Sequence, residues 1–423
     1  MAEALEMDPQ TSCSTAKTGA TGSMRAALAN PAFRRLVIAL TTSQAGDWLY
    51  NVALLAFVYE RTHSAAWLSA TTAIRVLPIV LLGPLGGVVA DRFDRRRTMI
   101  VCDLVRAGLM LTLVLVAVLE LPTILAPVVA GLATAASAPY PPCTAASVPR
   151  LVPDEDLAAA NAVRAVVGPL CIVLGPALGA LLLLAGPVSL IFAVNAGTFV
   201  VSAVVVASLH AGAPFRPSRR TQRSHLLAEM AEGAGALWCN RFALRLVSAD
   251  LVCSFLYGVE TVALVLVSSR LGLSDQGYGL LLAAAGAGGV LGSVLAPRVA
   301  RAGATSRVIA VMLVVAAVPL ALMPLMPSLP GVLLLAALMG AASMLVEVST
   351  ETVLQRTLDD AVFGRAYGFA FPASIAGIAI GAAVAAPLIA WWGLVDAMLL
   401  VGVTAVGYAI VLCLPGRRSR QVI

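Results

Sequence analysis

The chain has 423 residues, 60% of them apolar and only 12% Asp, Glu, Lys or Arg, with a formal net charge of +6. An ordinary soluble domain carries about 25% charged residues, so this composition excludes a water-soluble globule and points to an integral membrane protein. The basic excess does not signal nucleic acid: it is nearly all arginine, with Lys17 the only lysine, set in short segments between long apolar runs.

Residues 1–32 are expected to form a cytoplasmic tail. Positions 1–23 are polar and lack the positive-then-apolar order of a secretory signal, and no apolar segment precedes Cys13. The seven cysteines make no CxxC pair and His63, His210 and His225 lie far apart, so neither a metal site nor a disulfide framework is expected.

A helix needs about 20 mostly apolar residues to cross the bilayer core. Spans are expected at 33–59, 66–90, 98–120, 122–148, 158–184 and 188–209, then at 243–268, 276–297, 307–325, 331–355, 367–390 and 395–414. The predicted fold is therefore all-α: twelve transmembrane helices in two six-helix bundles, 33–209 and 243–414, with 415–423 a second cytoplasmic tail. The longest connection, 210–242, carries Arg216, Arg219, Arg220, Arg223 and Arg241, and reads as a basic cytoplasmic linker with a surface helix around 225–240. With the N-terminus inside, the inner segments receive most of the arginines, among them Arg34, Arg35, Arg92, Arg95, Arg96, Arg97, Arg150, Arg298, Arg301 and Arg356, while the outer ones receive Arg61 and Arg270. That asymmetry puts both termini in the cytoplasm.

Charges inside the spans are costly, about 2.5–3.5 kcal/mol each at the bilayer centre on insertion scales, and so are functional candidates. Asp47 lies near the middle of span one, with Gln44 and Asn51 on the same helical face. This stripe is expected to face a central cavity, with Asp47 the proton-titrating carboxylate; a structural acid locking span one to a neighbour is the alternative. Arg75, inside span two, is a possible counter-ion to Asp47, and such a partner would oppose proton uptake there. Arg106 on span three is three residues from Asp103, a spacing that allows an intrahelical pair. Arg164 is expected to snorkel to the inner surface. Glu260 on span seven and Glu347 on span ten are further candidates for coupling or for a cationic substrate, against a helix-packing role. Glu351, one turn beyond Glu347, is expected to be solvated or paired with Arg356, and Glu120 to be interfacial.

The stretch "GPLGGVVADRFDRRR" turns from span two into span three. Gly83, Gly86 and Gly87 let another helix approach closely, and Asp91 and the arginines sit at the water boundary. A topology anchor would account for the arginines but not for the glycine spacing or Asp91. A fainter copy begins at 289: a shift of 206 places Gly83 on Gly289, Gly86 on Gly292, Ala90 on Ala296, Arg92 on Arg298, Arg95 on Arg301 and Arg150 on Arg356. The halves read as a duplicated six-helix unit whose second loop is degenerate, with Pro297 where the first has its acid.

Gly83, Leu85, Gly87, Asp91, Arg92, Arg95, Arg96 and Arg97 resemble the signature loop between helices two and three of the major facilitator superfamily, with Asp94 where that pattern usually has Gly. The resemblance implies a cytoplasmic latch that holds the halves together and releases as a carrier changes access. "VVGPLCIVLGPALGALL" on span five, through Gly168, Gly175, Pro176 and Gly179, resembles the antiporter motif of proton-coupled drug exporters, with ordinary small-residue packing as the alternative. "QAGDWLYNVALLAFVYERT" and "ASVPRLVPDEDLAAANAV" resemble the branch that includes enterobactin exporters and macrolide efflux proteins.

The function expected is secondary active transport by alternating access: proton-coupled efflux of amphiphilic drug-like compounds or secondary metabolites, cationic ones included. Uptake or export of a dedicated metabolite or siderophore is the alternative, and a non-transporting membrane partner a third reading. No GxxxxGK[ST] segment is present, so ATP is not expected to drive the protein, and the proton gradient replaces any cofactor. No nucleophile, base and orienting group come together as an enzyme would need. The expected partners are a small-molecule substrate and the lipid bilayer, for a monomer in the inner (plasma) membrane of a bacterium whose arginine-for-lysine usage suggests high-GC codon bias.

Overall fold

The computed structural model describes residues 23–63, 65–210, 212, 215–216, 226–272, 275–301 and 306–413. The first half runs α1 (Met24–Ala29), α2 (Pro31–Thr62), α3 (Ala65–Arg92), α4 (Arg95–Val118), α5 (Leu125–Ser137), α6 (Tyr140–Leu151), α7 (Leu157–Ala185) and α8 (Val188–Ala207). Helix α9 (Leu226–Cys239) links it to α10 (Arg241–Arg270), α11 (Asp275–Arg301), α12 (Ser306–Leu322), α13 (Leu329–Thr357) and α14 (Asp360–Cys413). No strand occurs among the described residues.

Helix limits follow local chemistry. Pro31 opens α2 beneath Asn30, whose side chain accepts from the N–H groups of Ala32 and Phe33, and Asn240 caps α10 in the same way. Asp94 caps α4 by accepting from Arg97 N at 2.9 Å, which explains an acid where the resembled loop has Gly.

Eight helices are long and apolar enough to cross a membrane by length and composition among the described residues. The last of these, α14, is two legs meeting at Gly393, where φ is 80°. Spans one and five fall on α2 and α7. Span four, expected to be continuous, is instead α5 and α6, interrupted at Ala138 and Pro139. Pro139 has no N–H to continue the ladder, and Gly86 of α3 fits against the Ala138 carbonyl there.

Each half has its own core. Phe33, Leu36, Met99 and Cys143 centre one cluster and Leu54, Met110, Phe192 and Phe199 another in the first half, whereas Leu256, Leu313, Met339 and Met398 centre the second half. Only small clusters bridge them, such as Ala145, Ala146, Leu354 and Phe363. The outward surface is apolar, with Leu81 61%, Val204 63% and Val403 67% exposed, as lipid contact requires.

Helix α3 packs on α14, and its repeat α11 packs on α7, so the register of 206 reappears as two equivalent crossings between the halves. Within the second half, α11 and α13 approach through reciprocal glycines: a Cβ on Gly288, Gly292 or Gly340 would strike the carbonyl of Ala337, Ala341 or Ala285. Overpacking of this kind costs about 1–3 kcal/mol or more. Gly292→Leu should therefore lower the melting temperature of the detergent-purified protein by several degrees, while Gly407→Leu, where the space is open, should leave it unchanged.

Candidate functional site: a cavity above an ionic latch

At the Arg-rich end, Asp91 reaches from α3 to the first turns of α14. Its carboxylate accepts from Gly364 N at 3.1 Å, Arg365 N at 2.9 Å and Arg365 Nε at 3.1 Å. Gly83 and Gly87 permit this approach, because a Cβ on either would meet Pro372 or the Gly364 carbonyl. Arg95, fully buried, donates to Ala146 O at 2.8 Å and pairs with Asp360 at 3.2 Å. Arg92 pairs with Glu229 of α9 at 2.8 Å. Arg96, expected among the latch residues, stays within its own half: it donates to the carbonyls of Val206 and Ala207 at the end of α8, where a cation suits the helix dipole.

Sequence reasoning missed the other half of this latch. Arg365 is buried between Asp91 and Glu232 of α9, with 2.8 Å to the latter, so the linker helix docks on the latch instead of lying free on a surface. Arg150 pairs with Asp360, and Arg356 with Asp154 at 2.9 Å. The register of 206 that superposes Arg150 on Arg356 also superposes Asp154 on Asp360, so one pair occurs twice, and that signal was present in the sequence. Deeper in, Gln355 donates to Ala145 O at 2.9 Å and accepts from Asn161 at 2.6 Å.

Beyond these contacts lies a cavity of about 460 Å³ between the halves. Its wall includes Asp47, Gln44 and Arg106 on one side and Asp250, Glu347 and Glu351 on the other, with Arg164 between. Arg106 of α4 bonds Asp47, donates to Ser43 Oγ at 3.1 Å and lies 3.9 Å above the Phe199 ring. It reaches them because Cys102, Asp103, Arg106, Ala107 and Met110 form the buried face of α4. Arg75, the counter-ion considered for Asp47, is committed elsewhere: it donates to Asn51 and stands 5.0 Å from the centre of the Tyr50 ring.

On the opposite wall Asp250, which the sequence reading overlooked, accepts from the Ser374 hydroxyl. Glu351 pairs with Arg164, not with Arg356 or water, and Arg164 is correspondingly drawn into the cavity wall and does not snorkel. Glu347 opens into the cavity. The structure thus gathers Asp47, Gln44 and Glu347, while Asn51, Arg75 and Glu260 lie outside the wall. Glu260 continues the stripe of Asp250, Cys253 and Tyr257 by one turn, but it is 1% exposed and neither carboxylate oxygen has a hydrogen-bond partner. Gly168 borders the cavity and Gly179 is buried on α7. The surroundings of Gly175 and Pro176 fall outside the described residues.

Two helical bundles, joined by an ion-paired contact at one end and enclosing a polar cavity between them, have the architecture of a membrane transporter. The Major Facilitator Superfamily model matches residues 36–371, and the chain belongs to that family. It is 27% identical over 383 residues to the uncharacterized MFS-type transporter YfiS of Bacillus subtilis, covering 87% of this chain and 89% of that protein. It is 28% identical to the enterobactin exporter EntS of Escherichia coli, covering 84% of each. Macrolide efflux protein A of Streptococcus pyogenes is 30% identical over 47% of this chain and 50% of its own length. The fold matches an outward-facing bacterial homologue of the iron transporter ferroportin with a TM-score of 0.70 at 17% identity, covering 90% of this chain and 99% of that one.

Asp91 is 4% exposed and its Arg365 partner 1% exposed, and truncating one member of a buried, bonded charge pair costs about 3–5 kcal/mol. Asp91→Asn should shift the ensemble toward states open at the Arg-rich end. Spin labels at the exposed positions Arg97 and Thr357 would register this as a growing long-distance population, and an unchanged distribution would contradict it.

Proposed function

We propose that the protein exports amphiphilic, preferentially cationic compounds from the bacterial cytoplasm across the inner membrane in exchange for protons, with the Arg-rich end facing inward. The observation that carries this reading is the charge balance of the cavity: four carboxylates, Asp47, Asp250, Glu347 and Glu351, against two guanidiniums, Arg106 and Arg164, in a wall otherwise made mainly of Gly, Ser, Tyr and small or aliphatic apolar residues. Such a wall suits an apolar body with a positive head. Efflux relatives and the arginine asymmetry support the direction and the orientation.

Glu347 receives the positive head, because it opens into the cavity while Glu351 is occupied by Arg164 and Asp250 by Ser374. Asp47 serves coupling. A proton and Arg106 compete for it, so substrate and proton are linked through the state of that pair. One proton driven by 100 mV gains about 2.3 kcal/mol and a pH unit adds about 1.4. Together these sustain a gradient of several hundredfold for a neutral solute exchanged one for one, or about tenfold for a monovalent cation, which gives back the electrical part.

Ethidium accumulation in an efflux-deficient bacterium tests the reading. The wild-type chain should lower accumulation, and an uncoupler or Asp47→Asn should abolish the difference. Glu347→Gln should raise the concentration of half-maximal ethidium efflux about tenfold, as expected for about 1.4 kcal/mol of lost ion pairing, and leave an uncharged substrate unaffected. Higher accumulation in expressing cells would instead establish uptake. Equal effects of Glu347→Gln on charged and uncharged compounds would remove the cation preference.

A further inference from the structure

Arg106 is placed between two carboxylates on different helices, and it is bonded to only one of them. Its Nη2 bonds Asp47 of α2, which is 33% exposed toward the cavity. Its Nη1 stands 3.6 Å from Oδ1 of Asp103, a residue with no exposure at all. The other Asp103 oxygen accepts from Ser202 at 2.6 Å, and the Ser202 hydroxyl is 3.4 Å from that of Tyr140. Oδ1 itself is buried with no hydrogen-bond partner.

A buried carboxylate oxygen that faces a guanidinium and bonds nothing is an open acceptor. The guanidinium lies over the Phe199 ring at 3.9 Å, and its Nη1 donates to the neutral Ser43 hydroxyl at 3.1 Å, the bond that a turn toward Asp103 exchanges for a charged one. Bringing Nη1 into bonding distance of Oδ1 requires a shift of about 0.7 Å.

We infer that Asp103 is a positioning residue that takes over Arg106 whenever Asp47 is neutralised, so that one guanidinium is shared between a cavity-facing and a buried carboxylate as the carrier cycles. Neutralising Asp47 without a second acceptor would strand a buried guanidinium, the costly case for a buried charge. With Asp103 in place the charge is handed over, and α2 is released from α4 on the cavity side without an unpaired cation. The remaining groups around the triad leave this exchange to the three residues. Arg75 of α3 is held by Asn51 and Tyr50, Ser43 of α2 offers a neutral oxygen, and Phe199 of α8 offers its ring face. Cys102 lies beside Asp103 on α4, Cys171 of α7 faces Asp47, Ser202 of α8 bonds Asp103, and Tyr140 of α6 reaches Ser202 from the cavity wall.

The inference refines the coupling step proposed above, and its test needs no transported compound, so the two can fail separately. Thermal unfolding of the full chain in detergent would be compared at one pH for the wild type, Asp47→Asn, Asp103→Asn and the double variant. Each single variant keeps one carboxylate for Arg106 and should fall little below the wild type, whereas Asp47→Asn/Asp103→Asn should fall below the sum of the single effects by about 5 °C. Adding Arg106→Gln to the double variant should recover that excess and assign it to a stranded guanidinium, and no recovery would overturn the inference. Asp103→Glu in the Asp47→Asn background should keep the stability of Asp47→Asn. A loss in Asp103→Asn alone as large as in the double variant would overturn the inference, as would additive single effects, leaving Asp103 as a partner of Ser202 alone.

Discussion

A charge withdrawn from water must find an opposite charge or a set of hydrogen bonds, and in this chain that requirement determines where the helices meet. The buried or half-buried arginines Arg95, Arg106, Arg164 and Arg365 each bond a carboxylate on another helix. Three of these pairs cross between the halves, and the fourth joins α2 to α4 beside the cavity. Lipid supplies no hydrophobic force to press apolar helices together, so van der Waals fit and polar contacts decide the packing. Glycine-lined crossings provide the fit, and the ion pairs give each crossing its register.

This division of labour separates the forces within each half from those at their junction. Each half is held by its own apolar clusters. Among the described residues the seam combines small residues, arginine–carboxylate pairs, a few amide contacts such as Asn161 to Gln355, and a small apolar cluster around Leu354 and Phe363. Breaking it exposes charges that water can solvate and leaves few apolar side chains uncovered. A seam of bulky apolar residues would lose far more on opening, because each such side chain is worth about 1.5–3 kcal/mol when fully buried.

Much of this was legible in the chain. Twelve apolar runs, the long basic linker and the 206-residue echo of the Gly-rich loop lead to two helical bundles, and the resembled loop led to Asp91 and Arg95. What the sequence hid were partners remote along the chain. Adjacency along the chain pointed to Arg75 on span two as the partner of Asp47, whereas the fold brings Arg106 of α4 to it, a long side chain reaching a helix that α4 does not pack against closely. Arg365, Glu229 and Glu232 read as ordinary residues near the ends of helices, because burial at the seam belongs to the assembled fold and not to any segment. The break of span four was foreshadowed by Pro139, Pro141 and Pro142 in a stretch apolar enough to count as one helix.

The two halves differ most where the latch lies. The register of 206 carries Arg150 and Asp154 onto Arg356 and Asp360, so the outer pairs are repeated, but it carries Asp91 onto Pro297 and Arg365 onto Ala159, so the central one is not. The repeated pairs are partly exposed, with Arg356 36% and Asp154 76% accessible. Exposed pairs of this kind contribute about 0–1 kcal/mol. The unrepeated pair is almost completely buried, so it is the one whose disruption by loss of a single partner costs most. A buried pair is strongly specific because neither member tolerates the loss of the other, yet its net contribution is small once desolvation is set against attraction. Opening returns both charges to water and recovers that desolvation energy. One buried, unrepeated ion pair can thus fix the register of the two halves sharply while adding little net stability to their contact, and a seam with two such pairs would carry that desolvation cost twice.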